Sequence, residues 1–240
     1  MGIKFRGKVH NEDGEGNIFW VTMADLLLGL AIIFITLFVL AMTGFSQQTV
    51  QQQKIQMEVS EKISSKFNEE KIGGRLDNEE LQVDIDKMTG DLKISDVELF
   101  ELNSYVLSDK GKKLLDKIAP IYIESIFADK ELADQIEYII IQGHTDSQTF
   151  AGLKTKEEQF LKNMELSLKR AHAVTEYMFS TNYKPEYSEQ FRKIVVVEGK
   201  SFNEPILVNG IEDFDKSRRV ELKLKVKNWD VSTALGLKRW

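Results

Sequence analysis

The residue of this chain whose setting points most directly to chemistry is an aspartate at the edge of an apolar run. Asp25 stands in Trp20-Val21-Thr22-Met23-Ala24-Asp25-Leu26, and the twenty residues 26–45 that follow carry no charge. A carboxylate at the centre of a membrane-spanning helix costs about 2.5–3.5 kcal/mol, and less near its edge. One reading is a boundary aspartate that snorkels to water. Helical geometry argues for another. At about 100° per residue, Gly29, Ile32, Thr36 and Thr43 fall within about 40° of Asp25, so small and polar side chains share one stripe. The opposite face is Leu, Ile and Phe. Such a stripe suits close packing against partner helices with the carboxyl turned inward, and an inward ionisable group in a span is by default part of an ion pathway. One helix cannot form a pathway, so the pattern implies a partner.

Other chemistries fail on spacing. Gly199-Lys200-Ser201 looks like the end of a phosphate-binding loop, but the motif needs a glycine five residues earlier, where Ile194 opens the run Ile194-Val195-Val196-Val197. Asp84, Asp86 and Asp91 hint at calcium, yet Met88 breaks the alternation of an EF-hand loop, and a hairpin turn accounts for them. His10, His144 and His172 lie too far apart for a metal pair, and no serine sits in a G-x-S-x-G setting. No cysteine is present, which excludes disulfides, thiolate zinc sites and a cysteine nucleophile. Neither an enzymatic site nor a cofactor is expected. The net charge of −6 offers no basic footprint for nucleic acid.

The elements that must position Asp25 begin with the span itself. Twenty apolar residues match roughly 30 Å of hydrocarbon at 1.5 Å per residue, and Phe19 and Trp20 mark an aromatic edge. A cleavable signal peptide is disfavoured, because the run exceeds ~7–15 residues and only Ser46-Gln47-Gln48 follows it. Lys4, Arg6 and Lys8 precede the span and Lys54 alone follows closely, which places the N-terminus in the cytoplasm and the remainder outside the inner membrane. The chain of 240 residues then divides into a cytoplasmic tail (1–18), a transmembrane helix (19–45), a linker or stalk (46–79), a compact domain (80–228) and a tail (229–240). In the stalk, Ile55, Val59, Ile63 and Phe67 recur every four residues on a helix from about 48 to 71 ended by Gly73-Gly74. That stripe reads as a contact between two copies of the chain, or else the segment is a solvated tether.

Beyond the stalk the pattern is α/β (α+β). Residues 81–86 and 92–100 alternate about a Met88-Thr89-Gly90-Asp91 turn, a helix follows near 108–127, and residues 138–143 read as a buried strand. A second helix over 158–180 carries Leu161, Met164, Leu168, Ala171 and Val174 on one side, and strands over 193–198 and 218–227 close the domain. Counting the opening hairpin once, the order is βαβαββ, a sheet with helices on one face.

Three blocks make the chain recognisable: Gln142-Gly143-His144-Thr145-Asp146-Ser147, Asn163-Met164-Glu165-Leu166-Ser167-Leu168-Lys169-Arg170-Ala171, and Ser217-Arg218-Arg219-Val220-Glu221. In order and spacing they resemble the OmpA-type peptidoglycan-binding domain. Together with Trp20-x-x-x-Ala24-Asp25 the chain is similar to the MotB family of stator subunits, and within it to the ZorB branch of Zorya anti-phage systems. Ser217 stands where flagellar and outer-membrane relatives carry asparagine, and the flagellar proline after His-Thr-Asp is absent, which favours that branch over a flagellar MotB. The resemblance implies two B subunits, a self-dimer, inside a pentamer of MotA/ZorA-like membrane subunits, with H+ or Na+ passing by way of Asp25. It also implies a peptidoglycan site in which Asp146 meets an ammonium and Arg170 a carboxylate of the diaminopimelate stem peptide, with Asn163, Leu166 and Arg218 shaping the pocket. A structural ion pair of Arg170 or Arg218 with Asp146 is the plainer role for these charges. Arg170→Ala is expected to weaken wall binding at unchanged stability. A passive wall tether would share the outer domain without needing an inward aspartate.

Overall fold

The computed structural model describes residues 13–69, 83–101 and 104–227. The cytoplasmic-side cations Lys4, Arg6 and Lys8, the Gly73-Gly74 helix stop, the start of the first strand at Leu81-Gln82 and the tail after residue 228 all lie outside these. The chain forms two compact units, one reaching Thr49 and the other running Val50–Asp230.

Helix α1, Asp13–Glu69, contributes to both. In the first unit it holds a stretch, Phe19–Thr43, long and apolar enough to cross a membrane, and none of that stretch is covered by the rest of the chain. Its hydroxyls are satisfied within the helix: Thr36 Oγ1 donates to the carbonyls of Ile32 (3.0 Å) and Ile33 (2.8 Å), and Thr43 Oγ1 to Leu40 (2.9 Å). Intrahelical bonding of this kind lets hydroxyls sit in an apolar environment without an unmet donor. Asp25 and Gly29 share their face, as the helical spacing requires.

In the second unit the elements are β1 (Val83–Ile85), β2 (Leu92–Ser95), α2 (Asp96–Leu99), α3 (Asp109–Phe127), α4 (Lys130–Ala133) and β3 (Ile136–His144). After these come α5 (Lys156–Ser180), α6 (Pro185–Ile194), β4 (Val195–Gly199), β5 (Leu207–Val208), β6 (Ile211–Glu212), α7 (Phe214–Ser217) and β7 (Arg219–Val226). Five strands form one sheet in the order β1-β2-β7-β3-β4. Its β3–β4 pair is parallel, with Ile141 opposite Val197, and α5 and α6 lie in the connection, as parallel neighbours require. The other pairs are antiparallel. Along β7, Val220, Leu222, Leu224 and Val226 alternate with Arg219, Glu221, Lys223 and Lys225, so one face is apolar and the other charged. The apolar face joins Leu114, Ile118 and Tyr122 of α3 and Ala171, Val174 and Met178 of α5 in one core. The opening hairpin turns at Asp86, whose carboxylate accepts the amides of Met88 (2.8 Å) and Thr89 (3.2 Å), with Gly90 at φ +75°. These acidic residues therefore build a turn.

Several expectations are corrected. The alternating run over 92–100 is not one strand: β2 stops at Ser95, and a helical turn buries Asp96, Glu98 and Leu99 while Val97 points out. Residues 193–194 end α6, whose Tyr187 and Phe191 bury one face; the valine run beyond them masked this helix. The β5–β6 hairpin was also missed. The stalk stripe has a different partner from the one expected. Val59, Ile63 and Phe67 are buried in the core of the same chain and Ile55 packs on it, while Ser60 Oγ donates to Asp86 O (3.1 Å) and Lys62 Nζ pairs with Asp129 (2.6 Å). An apolar stripe on a helix states that something covers it, and here the covering surface is the chain's own domain. Replacing Ile63 by Ala should therefore destabilise the domain by about 2–5 kcal/mol in urea unfolding. A cysteine at position 63 should resist thiol reagents that label one at exposed Glu61. Fast labelling at 63, or ready disulfide cross-linking between copies there, would show that the stripe leaves the domain.

Candidate functional site

The end of β3 and the first half of α5 meet because one residue between them lacks a side chain. A Cβ on Gly143 would lie 2.0 Å from the carbonyl oxygen of Ser167, so only glycine allows this approach. The next residues follow as a strapped loop: Thr145 N donates to Ser201 O (2.9 Å) and Ser201 N to Ser167 Oγ (3.1 Å). Helix α5 starts at Thr155 with a capping box to Glu158, and Gln159 clasps the backbone of Phe150 from both sides (2.9 and 3.0 Å). These devices hold Asp146 opposite the buried face of α5.

That face is only partly the expected one: Ala171 and Val174 are buried, but the first half of the helix differs. Asn163, Ser167 and Arg170 point inward, whereas Leu161 and Leu168 are 64% and 46% exposed. Asn163 and Arg170, together with α2 and Arg218 just ahead of β7, line a cleft of about 890 Å³. All five residues assigned to wall binding, Asp146, Asn163, Leu166, Arg170 and Arg218, line it. Asp96, Phe100, Glu101 and Gln148 line it too and were not expected there.

The charges in the cleft pair with one another, although Asp96 Oδ1 has no hydrogen-bond partner among the described residues. Arg170, only 3% exposed, donates from Nη2 to Asp96 Oδ2 (3.0 Å) and from Nε to Ser104 O (3.0 Å), with its guanidinium 5.2 Å from the centre of the Phe100 ring. Arg218 donates to Asp146 Oδ2 and to Asp215, and its Nε lies 3.8 Å from Asp96 Oδ2. Asp146 Oδ1 accepts the amide of Gln148 (3.0 Å). Arg218 thus makes the structural pair with Asp146, but Arg170 pairs with Asp96 instead. Burial raises the Asp96 carboxyl above its ordinary value in spite of both guanidiniums. Burial likewise lowers Arg170, opposed by Asp96. For Arg218 burial also works against the charge, but the hydrogen bond and charge of Asp146 prevail and raise it. Two planar guanidiniums beside two carboxylates, in a cleft floored by Phe100, suit a ligand that carries both charges on a short apolar stem.

The paired arginines separate, one to each side of the sheet edge. Arg219 turns from the cleft to a buried cluster, with Nε 2.5 Å from Glu221, whose other oxygen meets Lys223 Nζ at 2.9 Å. His144 joins that cluster, 3.7 Å from Glu221, and is nearly inaccessible. Burial, then Arg219, pushes the His144 pKa down to about 3. Glu221 is held at about 2, where burial is outweighed by Lys223 and Arg219. The unfolded chain binds protons at both groups before the folded one does, at His144 from about pH 6.5 downward and at Glu221 from about pH 4.5. Stability is therefore present at neutral pH and lost on acidification. His144 alone should remove about 2 kcal/mol between pH 7 and pH 5, and His144→Gln should flatten that limb of a urea-unfolding series. An unchanged slope in the variant would exclude His144 as its source.

Comparison with known proteins gives concordant matches. The OmpA family model matches residues 99–219, which contain Asp146, α5 and Arg218. Two proteins of Escherichia coli called Zorya protein ZorB are similar along nearly the entire chain. The one from the Crooks strain is 26% identical, covering 92% of this chain and 93% of its own. The ETEC-strain protein is 24% identical, covering 94% and 87%. Among solved structures, a MotB-like protein of Desulfovibrio vulgaris matches with a TM-score of 0.51 at 18% identity, over 75% of this chain and 99% of that one, a likeness of fold.

Proposed function

Because the chain belongs to the OmpA family, we propose that it grips peptidoglycan with the cleft and serves as the B subunit of an ion-driven inner-membrane motor, of the ZorB type in anti-phage defence. The observation that carries this reading is one chain holding both parts of such a machine: an ionisable Asp25 in an uncovered apolar span, and a wall-binding type of domain with a charged cleft. A motor needs its moving and static parts anchored differently. The ion's energy is released at the span, about 2.3 kcal/mol for each charge crossing 100 mV, and the wall keeps the subunit from turning with its partner.

Similarity to the two ZorB proteins across over nine-tenths of the chain supports the defence branch over a flagellar one. In this reading the N-terminus is cytoplasmic and the OmpA-like domain periplasmic. The span, two copies of it, sits inside five MotA/ZorA-like subunits with the Asp25 stripe turned to them. In the cleft, Arg170 takes a stem-peptide carboxylate and Asp146 an ammonium, with Asn163, Leu166 and Arg218 around them.

Co-expression with a neighbouring multi-span membrane subunit, followed by mass measurement of the detergent-purified complex, tests the assembly. A mass of two of these chains with five partners is expected. Purification of this chain alone, together with a gene neighbourhood lacking any such partner, would leave a passive tether.

A further inference from the structure

Resting on the wall-binding reading, we propose that Asp96 also contacts the ligand: its Oδ1 shares with Asp146 the ammonium of a stem-peptide amino-acid end whose carboxylate Arg170 receives. Asp96 is 8% exposed, lines the cleft, and its Oδ1 is buried with no hydrogen-bond partner among the described residues. A buried carboxylate oxygen left unpaired destabilises the empty site, and a donor arriving with the ligand restores what is missing. Its other oxygen is fixed, 3.0 Å from Arg170 Nη2 and 3.8 Å from Arg218 Nε. The backbone is fixed as well, since Asp96 N donates to Arg218 O and Phe100 N to Asp96 O, both at 3.0 Å. Only a helical turn in place of a continued strand aims this side chain into the cleft.

Asp146 is placed differently. Both its oxygens already accept, one from Gln148 N and one from Arg218. It can receive an ammonium only by sharing or releasing a bond, whereas Asp96 has acceptor capacity to spare. The free acceptor and the Arg170 guanidinium belong to one ion pair. They therefore read an ammonium and a carboxylate carried close together, the charge pattern of one free amino-acid centre. A primary amine alone, or an amidated end, satisfies only half of it.

The test uses the full chain in nanodiscs and two soluble probes: a stem peptide with a free diaminopimelate centre, and the same peptide acetylated on that amine. Wild-type chain is expected to prefer the free amine. Asp96→Asn should lose about ten-fold more affinity for the free-amine peptide than for the acetylated one, so the preference shrinks by that factor. If Asp96→Asn does not fold, Asp96→Glu keeps the charge and should weaken free-amine binding several-fold more than acetylated binding. Equal losses on both peptides would reduce Asp96 to a support for Arg170 and overturn the proposal, as would unaltered binding. Failure of the wild-type chain to bind either peptide or purified sacculi is a separate result, which overturns the wall-binding reading and this proposal with it.

Discussion

Asp25→Asn should abolish the proposed ion-driven function while expression and assembly stay intact. The span around it is 25 residues long with none of it buried among the described residues, and in the proposed assembly lipid and partner helices supply its environment. Its threonines close their hydroxyls onto the helix itself, which leaves Asp25 as the ionisable group of the stripe. Asparagine has nearly the same shape and keeps two hydrogen-bonding atoms, so helix packing is retained. It cannot exchange a proton or present a charge to a cation. Any cycle in which the group alternates between charged and neutral states stops, and with it the coupling to membrane potential. Asp25→Glu should be tolerated in part at most, because the added methylene shifts the carboxyl along a stripe of small residues. The readouts are phage protection in cells and complex recovery in detergent. Full protection by a stably assembled Asn variant would remove Asp25 from the mechanism and favour a tether.

The parts of the fold legible in the sequence were those whose burial is apolar. Ile139 and Ile141 announce β3, and Leu114 through Ile126 announce α3, because a hydrophobic period marks the buried face directly. The same rule misleads at the cleft. On α5 it selects Leu161 and Leu168, which are exposed, over Asn163, Ser167 and Arg170, which are buried. Polar groups are buried there because they are held by partners distant in sequence: Ser167 by the amide of Ser201, Arg170 by Asp96 and Ser104. No local pattern encodes such partners. Asp96 was hidden for a related reason, since it sat in an alternating run that read as strand until Arg218 O and Ser95 turned the chain. Arg170 and Asp146, which line the cleft, are singled out by their family motif and not by periodicity. The stalk stripe was legible as a stripe, but its spacing cannot say which surface covers it.

Arg170→Ala should cost both wall binding and stability, and the geometry corrects the expectation that the fold would be indifferent. The guanidinium is buried, pairs with Asp96, holds the Ser104 carbonyl and covers Phe100. Truncation leaves Asp96 as a buried carboxylate with only Arg218 nearby, and breaking a buried pair typically costs about 3–5 kcal/mol. Loss of the proposed carboxylate receptor removes a charge-assisted contact of about 1.5–3 kcal/mol, a ten-fold or greater fall in affinity for peptidoglycan. Because both effects arise together, sedimentation of Arg170→Ala with sacculi cannot by itself separate a lost ligand contact from a loosened cleft. Arg170→Lys does so. It keeps a cation near Asp96, so unfolding in urea should move less, but an ammonium cannot hold Asp96, Ser104 O and a ligand carboxylate in one plane. Binding should therefore stay at least ten-fold weaker than wild type in a variant whose stability is largely recovered. Wild-type sedimentation by the lysine variant would mean that the cleft needs only a positive charge there, and that the planar fork of Arg170 serves the fold rather than the wall.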